Sequence, residues 1–145
     1  DQIRNFALEI KMKNIVIILL LSTYGTLVQA DVIKIGNKKL MSLIEDGVPI
    51  IDIRRKEEWQ QTGIVKDSFL MTFFNKDGKA DVTQWLQKLD LLASKEDPFI
   101  LICRTGRRTG IVANFLDKKL GYKKIYDVTN GITEWIKKGH PTVKP

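Results

Sequence analysis

The sequence predicts an α/β domain of three layers: a mainly parallel sheet of about five strands with helices on both faces. Three observations point there. Short apolar or β-branched runs alternate along the chain with segments of helical period. The run Phe99-Ile100-Leu101-Ile102 is wholly apolar, as a strand covered on both faces requires. The length of 145 residues, with 43% hydrophobic and 28% charged residues, suits one core.

Val32 to Ile35 is read as the first strand. Asn37 is a candidate cap for a helix carrying Leu40, Met41, Leu43 and Ile44, which Gly47 stops. Val48 to Ile53 reads as a buried strand, Lys56 to Gln61 as a helical turn closed by Gly63, and Phe69 to Phe73 as a further β run. Asn75 to Gly78 carries turn residues. From Asp81, the spacing of Val82, Trp85, Leu86, Leu89 and Leu92 predicts a helix broken by Pro98. After Phe99 to Ile102 a loop from Cys103 to Arg108 opens a helix through Leu120, ended by Gly121. Ile125 to Val128 and Ile132 to Lys138 give the last strand and helix. Alternation of this kind forms a parallel sheet, and ligands then gather at the carboxyl ends of its strands. Cys103 falls at such an end.

The N-terminal segment reads differently. Lys11, Lys13 and Asn14 precede the apolar run Ile15 to Leu21, and a more polar stretch ends in Val28-Gln29-Ala30. A basic region, a short apolar region and a small residue before the cut form a secretory signal, and the run is too short to span roughly 30 Å of hydrocarbon. The expectation is therefore an upstream extension plus cleavable signal over residues 1–30, with Met12 as the start, and one domain over 31–145. A periplasmic location follows. The net charge of +7 admits nucleic acid, an acidic membrane surface or small anions. Export argues against nucleic acid, and no stable membrane span remains after cleavage. Small anions or the membrane face are left.

The chain has one cysteine, which rules out an internal disulfide and a dithiol cycle. A lone thiol in an oxidising compartment is buried packing or is used. Its neighbours favour use. Cys103 stands between an apolar strand and the first turn of a helix, where unpaired N–H groups favour negative charge. Gly106 lets the loop aim successive N–H groups inward as an anion nest. Arg104, Arg107 and Arg108 add positive potential, and each of these effects favours thiolate over thiol. Thr105 and Thr109 complete the loop. His140 is the only histidine, so neither a metal site nor a Cys-His dyad has support. Gly106 and Gly110 are not followed by Gly-Lys-Ser/Thr, and no nucleotide or other cofactor is implied. Trp59, Trp85 and Trp135 are read as core, with Trp59 a candidate border of the pocket.

On these residues the chain resembles the rhodanese (thiosulfate sulfurtransferase) family, in its single-domain exported form. The resemblance spans about Ile35 to Val143. It is carried by Ile51-Asp52-Ile53-Arg54 with Glu58-Trp59, by the loop from Cys103 to Thr109, and by Tyr126 to Ile132 with Trp135 and Gly139-His140-Pro141. It implies a persulfide on Cys103 surrounded by loop amides, with Arg54 and Arg108 near the site and Asp52 and Glu58 supporting the arginines or the loop. The expected substrates are thiosulfate or polysulfide as donor and a thiol, sulfite or cyanide as acceptor; delivery to a partner protein by a carrier without turnover is the alternative. Two departures stand out. Ile64-Val65-Lys66-Asp67-Ser68 replaces a usual His-Ile-x-Gly-Ala, and Asn130 stands where glycine is common. The spacing C-x4-R to Arg108 is one residue shorter than the C-x5-R of related phosphatases and arsenate reductases, in which Thr109 would be the arginine.

Overall fold

The computed structural model describes residues 32–145; the expected extension and signal lie outside the described residues. Five parallel strands form one sheet in the order β1-β5-β4-β2-β3. They are β1 (Ile33–Ile35), β2 (Ile50–Asp52), β3 (Phe69–Leu70), β4 (Phe99–Ile102) and β5 (Ile125–Val128). The helices are α1 (Asn37–Glu45), α2 (Lys56–Thr62), α3 (Val82–Leu89), α4 (Arg107–Leu120) and α5 (Gly131–Lys137). β4 lies in the middle with β5 on one side and β2 on the other, so all four of its residues are buried.

Side chains of a strand alternate between faces, and the two cores follow from that. Phe99 and Leu101 join Ile51, Ile53, Trp85, Leu89, Val112 and Leu116, beneath α3 and α4. Ile100 and Ile102 join Leu40, Leu43, Val128, Ile132 and Trp135, beneath α1 and α5. Trp59 is also buried. Each large apolar side chain fully removed from water contributes about 1.5–3 kcal/mol.

Several boundaries differ from the sequence reading. Gly36, not Asn37, caps α1; the Asn37 amide instead reaches the Glu134 carbonyl at 3.5 Å. α3 ends at Leu89, nine residues before Pro98, where Leu92 and Ala93 both donate to the Leu89 carbonyl in a tight turn. β3 keeps two regular residues. Met71 and Phe73 still donate to Asp52 and Ile53 of the β2 segment, but the Met71 carbonyl accepts the Trp85 indole N–H at 2.9 Å. Asn130 has a φ of 61°, a left-handed conformation that asparagine tolerates, which accounts for its standing in a glycine position.

At the end of β2 an ion pair is sealed inside the domain. Arg54 and Asp52 are both fully buried, 2.7 Å apart. Removing one partner of such a pair strands the other charge in the interior. Asp52→Ala is therefore expected to cost about 3–5 kcal/mol of folding stability, read as a drop in urea-unfolding midpoint.

Candidate active site

Cys103 follows the last residue of β4 and is 1% exposed. The Gly106 N–H donates to its sulfur at 3.2 Å. The Thr109 hydroxyl stands 3.5 Å from the same sulfur and donates to the Gly106 carbonyl at 3.0 Å. Gly106 has a φ of 85° and caps α4. A Cβ there would also press on the Asn130 N at 3.2 Å, so the residue that points its N–H at sulfur has two reasons to be glycine. The first-turn N–H groups of α4 have no partner within the helix and open towards the loop.

The other side of the loop is tied down. Ile132 N–H donates to the Cys103 carbonyl at 2.9 Å, and Thr133 N–H and hydroxyl donate to the Arg104 carbonyl at 3.1 and 2.8 Å. Gly131 makes this approach possible: its φ is 56°, and any Cβ would collide with the Cys103 carbonyl oxygen.

Four of the arginines, Arg54, Arg104, Arg107 and Arg108, fall into two pairs. Arg108, in the first turn of α4, gives its two terminal nitrogens to the Glu58 carboxylate at 2.8 and 2.6 Å. The hydrogen bond from Glu58 raises Arg108 above the usual arginine range; burial opposes, while the charges of Glu58, Cys103 and Asp52 add to the rise. Arg54 was expected at the substrate. It is not presented there. Its guanidinium is spent on Asp52 at 2.7–3.1 Å, Thr62 at 2.7 Å, the Gly63 carbonyl at 2.9 Å and the Glu58 carbonyl at 3.4 Å, which uses every donor it has. Arg54 thus braces the turn between β2 and α2, and Asp52 and Glu58 each hold an arginine. Arg104 and Arg107 are exposed and form no ion pair among the described residues. Thr105 is exposed between them. Trp59 is buried rather than lining an opening, and His140 stacks on Trp135 with ring centroids 4.4 Å apart.

The family of this arrangement is shown by comparison with known proteins. The Rhodanese-like domain family matches residues 37–138. The chain belongs to the rhodanese-like domain family. An uncharacterised protein of Rickettsia rickettsii is 34% identical over 98 residues, 63% of this chain and 74% of its own length. A rhodanese-related protein of Thermoplasma volcanium superposes with a TM-score of 0.60 at 24% identity, covering 78% of this chain and 99% of that one. A polysulfide-sulfur transferase homodimer of Wolinella succinogenes superposes with a TM-score of 0.60 at 21% identity, covering 80% of this chain and 81% of that one. These likenesses confirm the three-layer fold expected from the sequence. The rhodanese-like family is one of sulfurtransferases acting on sulfur-containing substrates. No helix among the described residues is long and apolar enough to cross a membrane.

One buried acid near the rhodanese-like loop was read from the sequence only as part of the last strand and of the C-terminal motif. Asp127 of β5 is 1% exposed, and its Oδ1 has no hydrogen-bond partner among the described residues. An acidic residue inside an otherwise apolar strand was the available signal.

Burial pushes Glu58 up, but hydrogen bonds from Arg108 and the Arg55 N–H and the charges of both arginines outweigh it, holding the carboxyl at about 2. A depressed carboxylate stabilises the fold fully above its unfolded value of 4.5 and loses that contribution as pH falls towards 2. Glu58→Gln should therefore flatten the loss of stability across this acid window, measured by urea unfolding at stepped pH. At neutral pH the Arg108 brace stays closed.

Proposed function

We propose that this protein is a sulfurtransferase that moves sulfane sulfur from thiosulfate or polysulfide to a thiophilic acceptor through a Cys103 persulfide. The observation that carries this reading is the Cys103 sulfur held at 3.2 Å by the Gly106 N–H in a short loop opening α4. With thiosulfate, the Cys103 thiolate attacks the outer sulfur. A new S–S bond forms on Sγ, the S–S bond of thiosulfate breaks, and sulfite leaves with the bonding pair. Thiolate and dianion become persulfide anion and dianion, so charge balances. A thiolate, sulfite or cyanide acceptor then takes the outer sulfur, and the pair returns to Sγ.

Preorganised N–H groups of the loop from Arg104 to Arg108 favour the anionic sulfur at both stages. Such donors contribute several kcal/mol where water is excluded, and a sulfur 1% exposed meets that condition. Arg104 and Arg107 draw the donor to the loop and orient it. Arg108 acts from behind, fixing the loop against α2 through Glu58. The export signal expected over residues 1–30 would place the reaction in a periplasm.

A second reading is favoured by a groove of about 280 Å³ beside the loop, lined by Arg55, Phe74, Lys76, Arg107, Arg108 and Ile111. A basic groove with an apolar floor suits part of a larger partner, and the domain would then carry sulfur to a second protein without turnover. Intact mass after exposure to thiosulfate or polysulfide is expected to show one added sulfur atom in wild type and none in Cys103→Ser. Steady-state transfer to cyanide distinguishes enzyme from carrier. Sulfur uptake retained by Cys103→Ser would overturn both.

A further inference from the structure

Cations far apart in sequence meet beside the sulfur loop. Two cavities of about 280 and 570 Å³ share Arg55, Asn75 and Lys76 as lining, and together form one groove with an inner and an outer chamber. The inner chamber is bordered by Arg107 and Arg108. These directly follow Gly106, whose N–H donates to the Cys103 sulfur. The outer chamber extends to Lys56, Glu57 and Thr72. It falls by itself within the range of about 300–1,000 Å³ that takes drug-sized ligands. Thiosulfate or a short polysulfide needs far less.

The groove carries charge that the fold leaves unused. Among the described residues Lys56, Lys76 and Arg107 form no ion pair. Arg55 comes no nearer than 3.9 Å to Glu57 or Glu58. Only Arg108 is committed, to Glu58. Against these four uncommitted or loosely held cations the lining sets one carboxylate, Glu57. The floor is apolar. Phe74 is half-buried and packs edge-on against Phe73, with ring centroids 4.8 Å apart. Ile111 is 55% exposed and stands one helical turn after Arg107, so α4 presents both to the groove.

A concave basic strip with two apolar side chains matches an extended anionic chain that bears an apolar residue, and not a flat membrane face. The net charge of +7 on this chain argues against a second copy as occupant. A phosphodiester backbone has no donor for Glu57 and is repelled by it, whereas a peptide brings N–H groups as well as carboxylates. We propose that the groove docks an acidic polypeptide segment of a partner protein that carries the acceptor thiol. Its carboxylates meet Arg55, Lys56, Lys76 and Arg107, an apolar residue lies against Phe74 and Ile111, and its cysteine comes to the inner end beside the Cys103 loop. The inference rests on the reading of Cys103 as the sulfur carrier. In the step it serves, the partner thiolate bonds to the outer sulfur of the Cys103 persulfide. The bond from that sulfur to Sγ breaks, and Sγ keeps the electron pair. Two negative charges stand on each side of the step, no proton moves, and no external oxidant or reductant is needed.

The test follows transfer from persulfide-loaded protein to three cysteine peptides of equal length. One is rich in glutamate and holds a leucine, one has glutamine at each glutamate, and one has lysine there. Cyanide is the acceptor that needs no docking. Wild type is expected to favour the acidic peptide over the neutral one by about tenfold in kcat/KM at low salt, with the lysine peptide slowest. Lys56→Glu with Lys76→Glu should erase that preference and leave transfer to cyanide within about twofold. Added salt should erase it in wild type as well. Equal rates for the three peptides, or a preference that survives the charge reversal, overturn the proposal, as does an equal loss with cyanide. A second measurement needs no sulfur: fluorescence anisotropy of a labelled acidic peptide with serine in place of cysteine. Binding by wild type that the two substitutions weaken about tenfold supports the groove; no binding, or equal binding, sinks it. Such binding without any sulfur loading on Cys103 would instead remove the sulfurtransferase reading and leave the groove as a site for acidic segments. Tighter binding of a single-stranded oligonucleotide or of phosphatidylglycerol vesicles, lost on the same substitutions, would give the groove to that occupant and overturn the proposal, as would self-association through these lysines.

Discussion

The carbonyls of Cys103 and Arg104 are held by the start of α5, through Ile132 and Thr133 at 2.8–3.1 Å. A peptide unit carries its N–H and C=O on opposite sides, so committing the carbonyls in one direction constrains where the following amides can face. The Gly106 N–H then reaches sulfur. The approach is close enough that Gly131 admits no Cβ, and Gly106 faces Asn130 across the same contact. The loop is shaped less by its own residues than by a helix that follows it in sequence by more than twenty positions. A substitution at Gly131 would disturb the sulfur site without touching any group that reacts.

Charge around the loop is divided in a way that net charge conceals. Arg54 and Arg108 are matched by Asp52 and Glu58, at contacts short enough to fix geometry. Their contribution to the potential at the sulfur is largely cancelled by these partners. The attractive field for an arriving anion therefore comes from Arg104 and Arg107, which are exposed, and from the N–H groups of the loop and the first turn of α4. The exposed pair acts through water and is screened by salt, whereas the amides act in the dry interior. On the proposed function, capture and stabilisation of the anion would fall to different groups.

The parts of the fold legible in the sequence are those set by local chemistry. The apolar run of β4, the single Cys103, Gly106 and the arginines occupy adjacent positions, so strand, turn and helix start could be read together. Thr109 and Arg108 were legible for the same reason. Arg54 was misplaced because its role depends on Thr62 and the Gly63 carbonyl, which only the folded turn brings to its guanidinium. Asn37 was misread because Gly36 takes the cap and draws it one position inward. The burial of Asp127 beneath α4 is a property of two elements packed together and not of either alone. β3 was overestimated because the Trp85 indole captures a carbonyl there. In each case a tertiary partner overrode a local preference.

The same packing bears on what size of cargo the loop accommodates. In a loop one residue longer, an arginine would stand at position 109 and could clamp a tetrahedral dianion. Here position 109 is a fully buried threonine that faces the sulfur at 3.5 Å and the Gly106 carbonyl at 3.0 Å. Arg108 is one step earlier on the helix, with both terminal nitrogens on Glu58. Freeing Arg108 to grip a phosphate would leave Glu58 half-buried and without its closest cation, a loss set against any gain at the ligand. A single anionic sulfur asks for less: a short cradle of N–H donors and no clamping guanidinium. The bidentate Glu58–Arg108 contact therefore favours the smaller cargo, because it occupies the cation that the larger one would need.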